Sequence, residues 1–108
     1  MKADESYCDG RLTVSLTGEL DHHSAKETLD AISGSIERYM PRDLTLDLRN
    51  LSFMDSSGIA VMVRSYNKMR LTGGRMSIVD PQPQPLKVID ASGIDRLLPV
   101  AAKREVTT

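Results

Sequence analysis

Asp55-Ser56-Ser57-Gly58 is the stretch of this chain best suited to chemistry. A serine hydroxyl can accept a phosphoryl group, and this pair stands where a helix is expected to open. Ile59, Met62, Val63, Tyr66 and Met69 follow at helical spacing. The free N–H groups of a helix start attract an anion. A phosphate adds about −1.5 to −2 charges, and a first turn accommodates it with a typical gain of ~0.3–1 kcal/mol. Modification of Ser56 or Ser57 therefore need not unfold the protein, and its effect falls on a partner docked over the loop. A hundredfold loss of affinity needs about 2.7 kcal/mol. Burying an unpaired phosphate beside Asp55 can supply that by desolvation and like-charge repulsion. The plainer reading of the same residues is a helix cap, with either serine bonding an N–H group and Gly58 permitting close packing.

Asp21-His22-His23 is the second polar cluster. Together with Ser56 it has the residue types of a Ser-His-Asp hydrolase. No G-x-S-x-G elbow accompanies it, and 108 residues leave little room for a substrate pocket. Adjacent histidines on a helix point about 100° apart and rarely chelate together. No Cys-x-x-Cys or His-x-x-x-His joins them. Neither catalysis, nor a metal, nor a cofactor is expected. Gly73-Gly74 reads as a helix stop, because no Gly-Lys-Ser/Thr follows it. Met54, just before the serine pair, would suit an adaptable partner contact if exposed.

These residues need elements to position them. Leu12, Val14 and Leu16 alternate with Thr13 and Ser15, and Leu44, Leu46 and Leu48 with Thr45 and Asp47, the period of two strands. Asp9-Gly10 signals a hairpin turn, so Glu5–Cys8 is expected as a short first strand. Gly18 is expected to end the second. Asp21 or Ser24 then caps a helix, with Ser24 to Glu27 fitting a capping box, and Pro41 stops it. A helix over Ser57–Leu71, a strand around Met76–Val79 and a stiff Pro81–Pro85 connector follow. Next come a short helix with Pro85 in its first turn, a last edge strand over Leu97–Val100 and a frayed tail Ala101–Thr108. The alternating middle implies parallel strands with right-handed crossovers. The polar face of Leu44–Leu48 puts the helices mostly on one side. Parallel strands end together, so the loops Gly18–His23 and Arg49–Ser57 should form one surface. Partner sites of open α/β sheets favour that end.

Length predicts one compact domain over residues 1–108. The core must be aliphatic, with one Phe, three Tyr and no Trp. A net charge of −1 leaves no basic footprint for nucleic acid. No window approaches the roughly 18 apolar residues of a membrane helix. The single cysteine, Cys8, fits a reducing compartment, and the first residues lack a signal peptide's apolar stretch. A cytoplasmic protein without a membrane span is expected.

Leu16-Thr-Gly-Glu-Leu-Asp-His-His23, Leu51-Ser-Phe-Met-Asp-Ser-Ser-Gly58 and Ile89-Asp-Ala-Ser-Gly-Ile94 carry a resemblance covering about Leu12 to Val100. Together they resemble the STAS domain of bacterial anti-sigma factor antagonists, and the first looks most like the sporulation-type branch. The resemblance implies an α/β STAS fold, a mixed four- to five-stranded sheet with helices mainly on one face. It also implies a partner switch. The unphosphorylated antagonist binds an anti-sigma factor and so frees a sigma factor for transcription. That anti-sigma factor is also an ATP-dependent serine kinase, and it phosphorylates the serine after the aspartate, here Ser56. A metal-dependent serine/threonine phosphatase resets it. Asp55 would help set the loop, Ser57 would cap, and Gly58 would permit close approach. Glu19, Asp21, His22 and His23 would contact the kinase, with Met54, Asp55, Ser57 and Gly58 completing the surface. The alternative is a STAS adaptor in another complex, in lipid transport or phosphatase regulation, without a Ser56 switch. Two features depart from the family: the proline-rich Pro81–Pro85 and a short chain after Val100, where a closing helix would stand.

Overall fold

The computed structural model describes residues 1–101. Asp9 and Gly10 adopt φ values of 52° and 82°, the left-handed pair that a tight two-residue hairpin requires. They join β1 (Lys2–Cys8) to β2 (Arg11–Leu20), antiparallel, with Cys8 opposite Arg11. The first strand is thus longer than the expected Glu5–Cys8. Then follow α1 (Ala25–Tyr39), β3 (Asp43–Met54), α2 (Ser56–Leu71), β4 (Arg75–Val79) and α3 (Pro83–Ser92). A 3₁₀ turn (Ile94–Arg96) leads to β5 (Val100–Ala101). The five strands stand in the order β1-β2-β3-β4-β5, and β2 to β5 run parallel.

One face of the sheet makes the core. Leu12, Val14, Leu16, Leu44, Leu46 and Leu48 are buried there with Ile32 and Ile36 of α1 and Met62 and Met69 of α2. The other face is polar, with Ser15 bonding Asp47 at 3.4 Å and Thr45 meeting Ser77 at 3.4 Å. Asp47 is buried and ion-paired with Arg49 at 3.1 Å. The mixed five-stranded sheet with helices mainly on one face is the expected architecture. Among the described residues, no helix is long and apolar enough to cross a membrane.

Several boundaries differ from expectation. Gly18 does not end β2, and β3 does not end near Leu48. Both strands continue, with Thr17 opposite Asn50, Glu19 opposite Phe53 and Leu20 opposite Met54. Register shifts at Ser15/Thr17 and Gly18/Glu19 break the simple alternation, and Gly18 takes a φ of 112° at that irregularity. The expected capping box is absent from α1, because Ser24 makes no side-chain cap bond there. Helix α3 starts at Pro83, so the helix takes up the end of the expected Pro81–Pro85 connector, while Pro85 lies in the first turn as expected. Leu97 and Leu98 lie outside any strand, and Pro99 contributes only its carbonyl, to the Ile78 N–H. Of the expected frayed tail, Ala101 belongs to β5; residues 102–108, with any closing helix, lie outside the described residues.

Candidate functional site

Because β2 and β3 are parallel and end together at Leu20 and Met54, the residues that follow them are neighbours. The Asp55 N–H donates to the Leu20 carbonyl at 3.2 Å, closing the junction. Asp55 then opens α2. Its backbone is extended, and its carboxylate accepts from the Ser57 N–H at 2.8 Å. The cap is therefore Asp55, not Ser57 or Ser56. A short carboxylate one residue before the helix reaches the second helical N–H, so neither serine hydroxyl is committed to that bond. Ser56 is the first helical residue and is exposed. Ser57 is half-buried and lines a cleft of about 400 Å³ between α1 and α2, with Leu29 and Val61 among its walls.

Met54 and Gly58 lie differently from the expected partner surface. Met54 is fully buried, because its pairing with Leu20 turns it to the helix face of the sheet. Gly58 lies on top of it. A Cβ at Gly58 would collide with Met54 Cγ, would lie 2.5 Å from Met54 Sδ, and would approach Leu20 Cδ2 to 3.2 Å. The close approach that Gly58 permits is thus internal. The side chain that reaches solvent is Phe53, 38% exposed and paired across the sheet with Glu19. The alternation of Phe53 with Met54 was the available signal, and it is visible only if β3 is read through to Met54.

The Asp21 loop is built on one carboxylate. Asp21 Oδ1 accepts from the His23 N–H at 2.9 Å and the Ser24 N–H at 3.1 Å. These bonds, that of Ser24 first, hold the Asp21 carboxyl below its usual range. Ser24 Oγ accepts from the Asp21 N–H at 3.0 Å and donates to the Glu19 carbonyl at 3.0 Å. Ser24 therefore ties the loop to the end of β2 instead of reaching forward to Glu27. His22 and His23 are exposed, their rings edge-to-face at 5.6 Å. Asp21 spends its carboxylate on backbone groups, which leaves it poorly placed to orient an imidazole for catalysis.

Two residues not singled out from the sequence close an open edge of β3, and one of them, Gln84, reaches the residue beside the site. β4 pairs with β3 only over Asp43–Asp47, so among the described residues the rest of that β3 edge has no strand beside it. Gln82 donates to the Arg49 carbonyl at 2.7 Å. Gln84 accepts from the Met54 N–H at 2.8 Å and donates to the Met54 carbonyl at 2.9 Å. The proline-rich segment supplies side-chain amides where a strand is missing.

The same scaffold is found in known proteins. The family model described as STAS domain matches residues 5–106. The anti-sigma F factor antagonist of Paenibacillus polymyxa is 36% identical over 91 residues, 84% of this chain and 78% of that protein. The structure of the anti-sigma factor antagonist SpoIIAA in its unphosphorylated form superposes with a TM-score of 0.79 at 26% identity, over 94% of this chain and 90% of that one. The phosphorylated form of the Bacillus cell fate determinant SpoIIAA gives 0.70 at 26% identity, over 94% and 93%. The likeness runs over nearly the whole chain in both sequence and fold, and this chain belongs to the STAS domain family.

Proposed function

We propose that this chain is an anti-sigma factor antagonist, a regulatory binding protein switched by phosphorylation of Ser56. Unphosphorylated, it binds an anti-sigma factor that is also a serine kinase and so releases a sigma factor for transcription. The kinase transfers the γ-phosphoryl of ATP to Ser56 Oγ, the hydroxyl proton leaves to a base of the kinase, and ADP departs. A serine/threonine phosphatase hydrolyses the phosphoester and restores the binding form. The chain supplies no catalytic group, touches neither nucleic acid nor membrane, and works in the cytoplasm as one domain over residues 1–108.

The observation that carries this reading is the placement of Ser56: exposed, first in α2, and relieved of capping by Asp55. A phosphate there leaves the internal scaffold intact and changes only the outer surface. Relatives named as anti-sigma factor antagonists support the partner, and a structural neighbour known in phosphorylated and unphosphorylated forms supports the modification. The docking surface is Glu19, Asp21, His22, His23, Asp55 and Ser57 around Ser56. Phe53 takes the apolar role assigned from sequence to Met54.

The test is a pull-down from native lysate with wild-type, Ser56→Ala and Ser56→Asp baits. The first two should hold an ATP-binding kinase, and Ser56→Asp should lose it, by about a hundredfold in affinity for ~2.7 kcal/mol. If all three baits retain one partner, Ser56 is no switch and the chain is a STAS adaptor. If Ser56→Ala is still phosphorylated, the acceptor is another residue, most simply Ser57.

A further inference from the structure

We infer that Gln84 is a positioning residue for Ser56, standing in for a missing strand at the last residue of β3. The inference rests on the Ser56 switch and adds the device that sets where the acceptor serine stands. One planar amide satisfies both polar groups of Met54, accepting from its N–H at 2.8 Å and donating to its carbonyl at 2.9 Å. That is the pattern an in-register strand would make, and only one orientation of the amide fits both partners. The next residue, Asp55, is held from the opposite side by the Leu20 carbonyl. The dipeptide Met54-Asp55 is therefore gripped on both edges, and Ser56 follows directly. Below it, the Met54 side chain is wedged under Gly58.

The segment that carries Gln84 is itself rigid. Pro83 and Pro85 flank it in the first turn of α3, and each fixes its own φ near −65°. Pro81 and Pro85 are buried. An amide on such a support transmits little motion. Gln82, by contrast, bonds the carbonyl of Arg49, five residues before Met54, and serves as the internal control. Both glutamines close the same open edge, but only Gln84 reaches the residue beside the site.

The experiment uses full-length wild type, Gln84→Ala, Gln84→Glu and Gln82→Ala, with the kinase captured by the wild-type bait. Displacement of a reacting group by about 1 Å costs up to roughly a hundredfold in rate. Gln84→Ala should therefore lower kcat for Ser56 phosphorylation at least about tenfold, with KM changed far less because Glu19 and Phe53 keep their places. Gln82→Ala should keep the wild-type kcat. The second readout needs no kinase. In Gln84→Glu the ionised carboxylate still accepts from Met54 N–H but has no proton for the Met54 carbonyl. On acidification the protonated acid regains both bonds. The Met54 amide NMR shift of this variant should move to the wild-type position as pH falls. A wild-type protein that no captured kinase phosphorylates refutes the switch. An unchanged kcat in Gln84→Ala, or a Met54 shift in Gln84→Glu that ignores pH, overturns the role of Gln84 alone.

Discussion

Replacing Gly58 with alanine tests the packing beneath the acceptor serine. Gly58 does not have a positive φ, so alanine can adopt its backbone without strain. In helices alanine is favoured over glycine by ~1 kcal/mol, and on propensity alone the variant should be more stable. The added Cβ, however, would collide with Met54 Cγ. That atom lies near the root of its side chain, and the Met54 backbone is bonded on both polar groups by Gln84. It cannot swing aside as a terminal methyl could. Overpacking costs about 1–3 kcal/mol, and so constrained a site belongs near the upper end. The net is about 2 kcal/mol of destabilisation, or roughly 8 °C in Tm for a domain of this size. Thermal and urea unfolding would measure it. Met54→Ala alone should cost ~2–5 kcal/mol, but in that background Gly58→Ala should be neutral or stabilising, because the obstacle is gone. A Gly58→Ala protein as stable as wild type, or a cycle in which the two changes simply add, would refute the collision.

Two further outcomes are expected. Phe53→Ala should weaken binding of the unphosphorylated protein to its anti-sigma partner by about tenfold or more, as loss of an aromatic anchor does, while leaving Tm nearly unchanged; calorimetric titration and melting check both halves, and unaltered affinity would remove Phe53 from the interface. Glu5 is held at a pKa of about 2 by Tyr39, Ser35 and Arg38, against an ordinary 4.5. Its carboxylate therefore stabilises the fold above about pH 4.5, and that stability is lost as pH falls toward 2. Glu5→Gln should melt below wild type at pH 7, with the gap closing between pH 4.5 and 2; a gap of constant size would contradict this.

Much of this architecture was legible because simple periodicity held in the middle of each element. Leu12, Val14 and Leu16 alternate cleanly, and so do Leu44, Leu46 and Leu48. The left-handed preference of Asp9-Gly10 marked the hairpin directly. Legibility failed where irregularity entered. Buried Asp47 sits beside buried Leu46 and Leu48, and Arg49-Asn50 and Ser52-Phe53 are exposed pairs. A reader of alternation loses β3 at that point, and with it the inward turn of Met54. Local hydrogen bonding was equally hidden. Ser24 and Glu27 have capping-box spacing, but the Asp21 carboxylate reaches the His23 and Ser24 N–H groups first. At α2 the same competition left Asp55, not a serine, as the cap. Gln84 carried no local signal, since its partner is 30 residues away and the need it meets arises from the length of β4.

The order of strands in space is also their order along the chain. A polypeptide emerging from the ribosome can therefore lay each strand against one already in place, and none has to be inserted between two that have paired. Only α1, α2 and α3 with its 3₁₀ turn intervene between successive parallel strands, which keeps closure entropy low at every addition. The same order sets β1 and β5 on opposite margins of the sheet. The arrangement therefore suits vectorial synthesis.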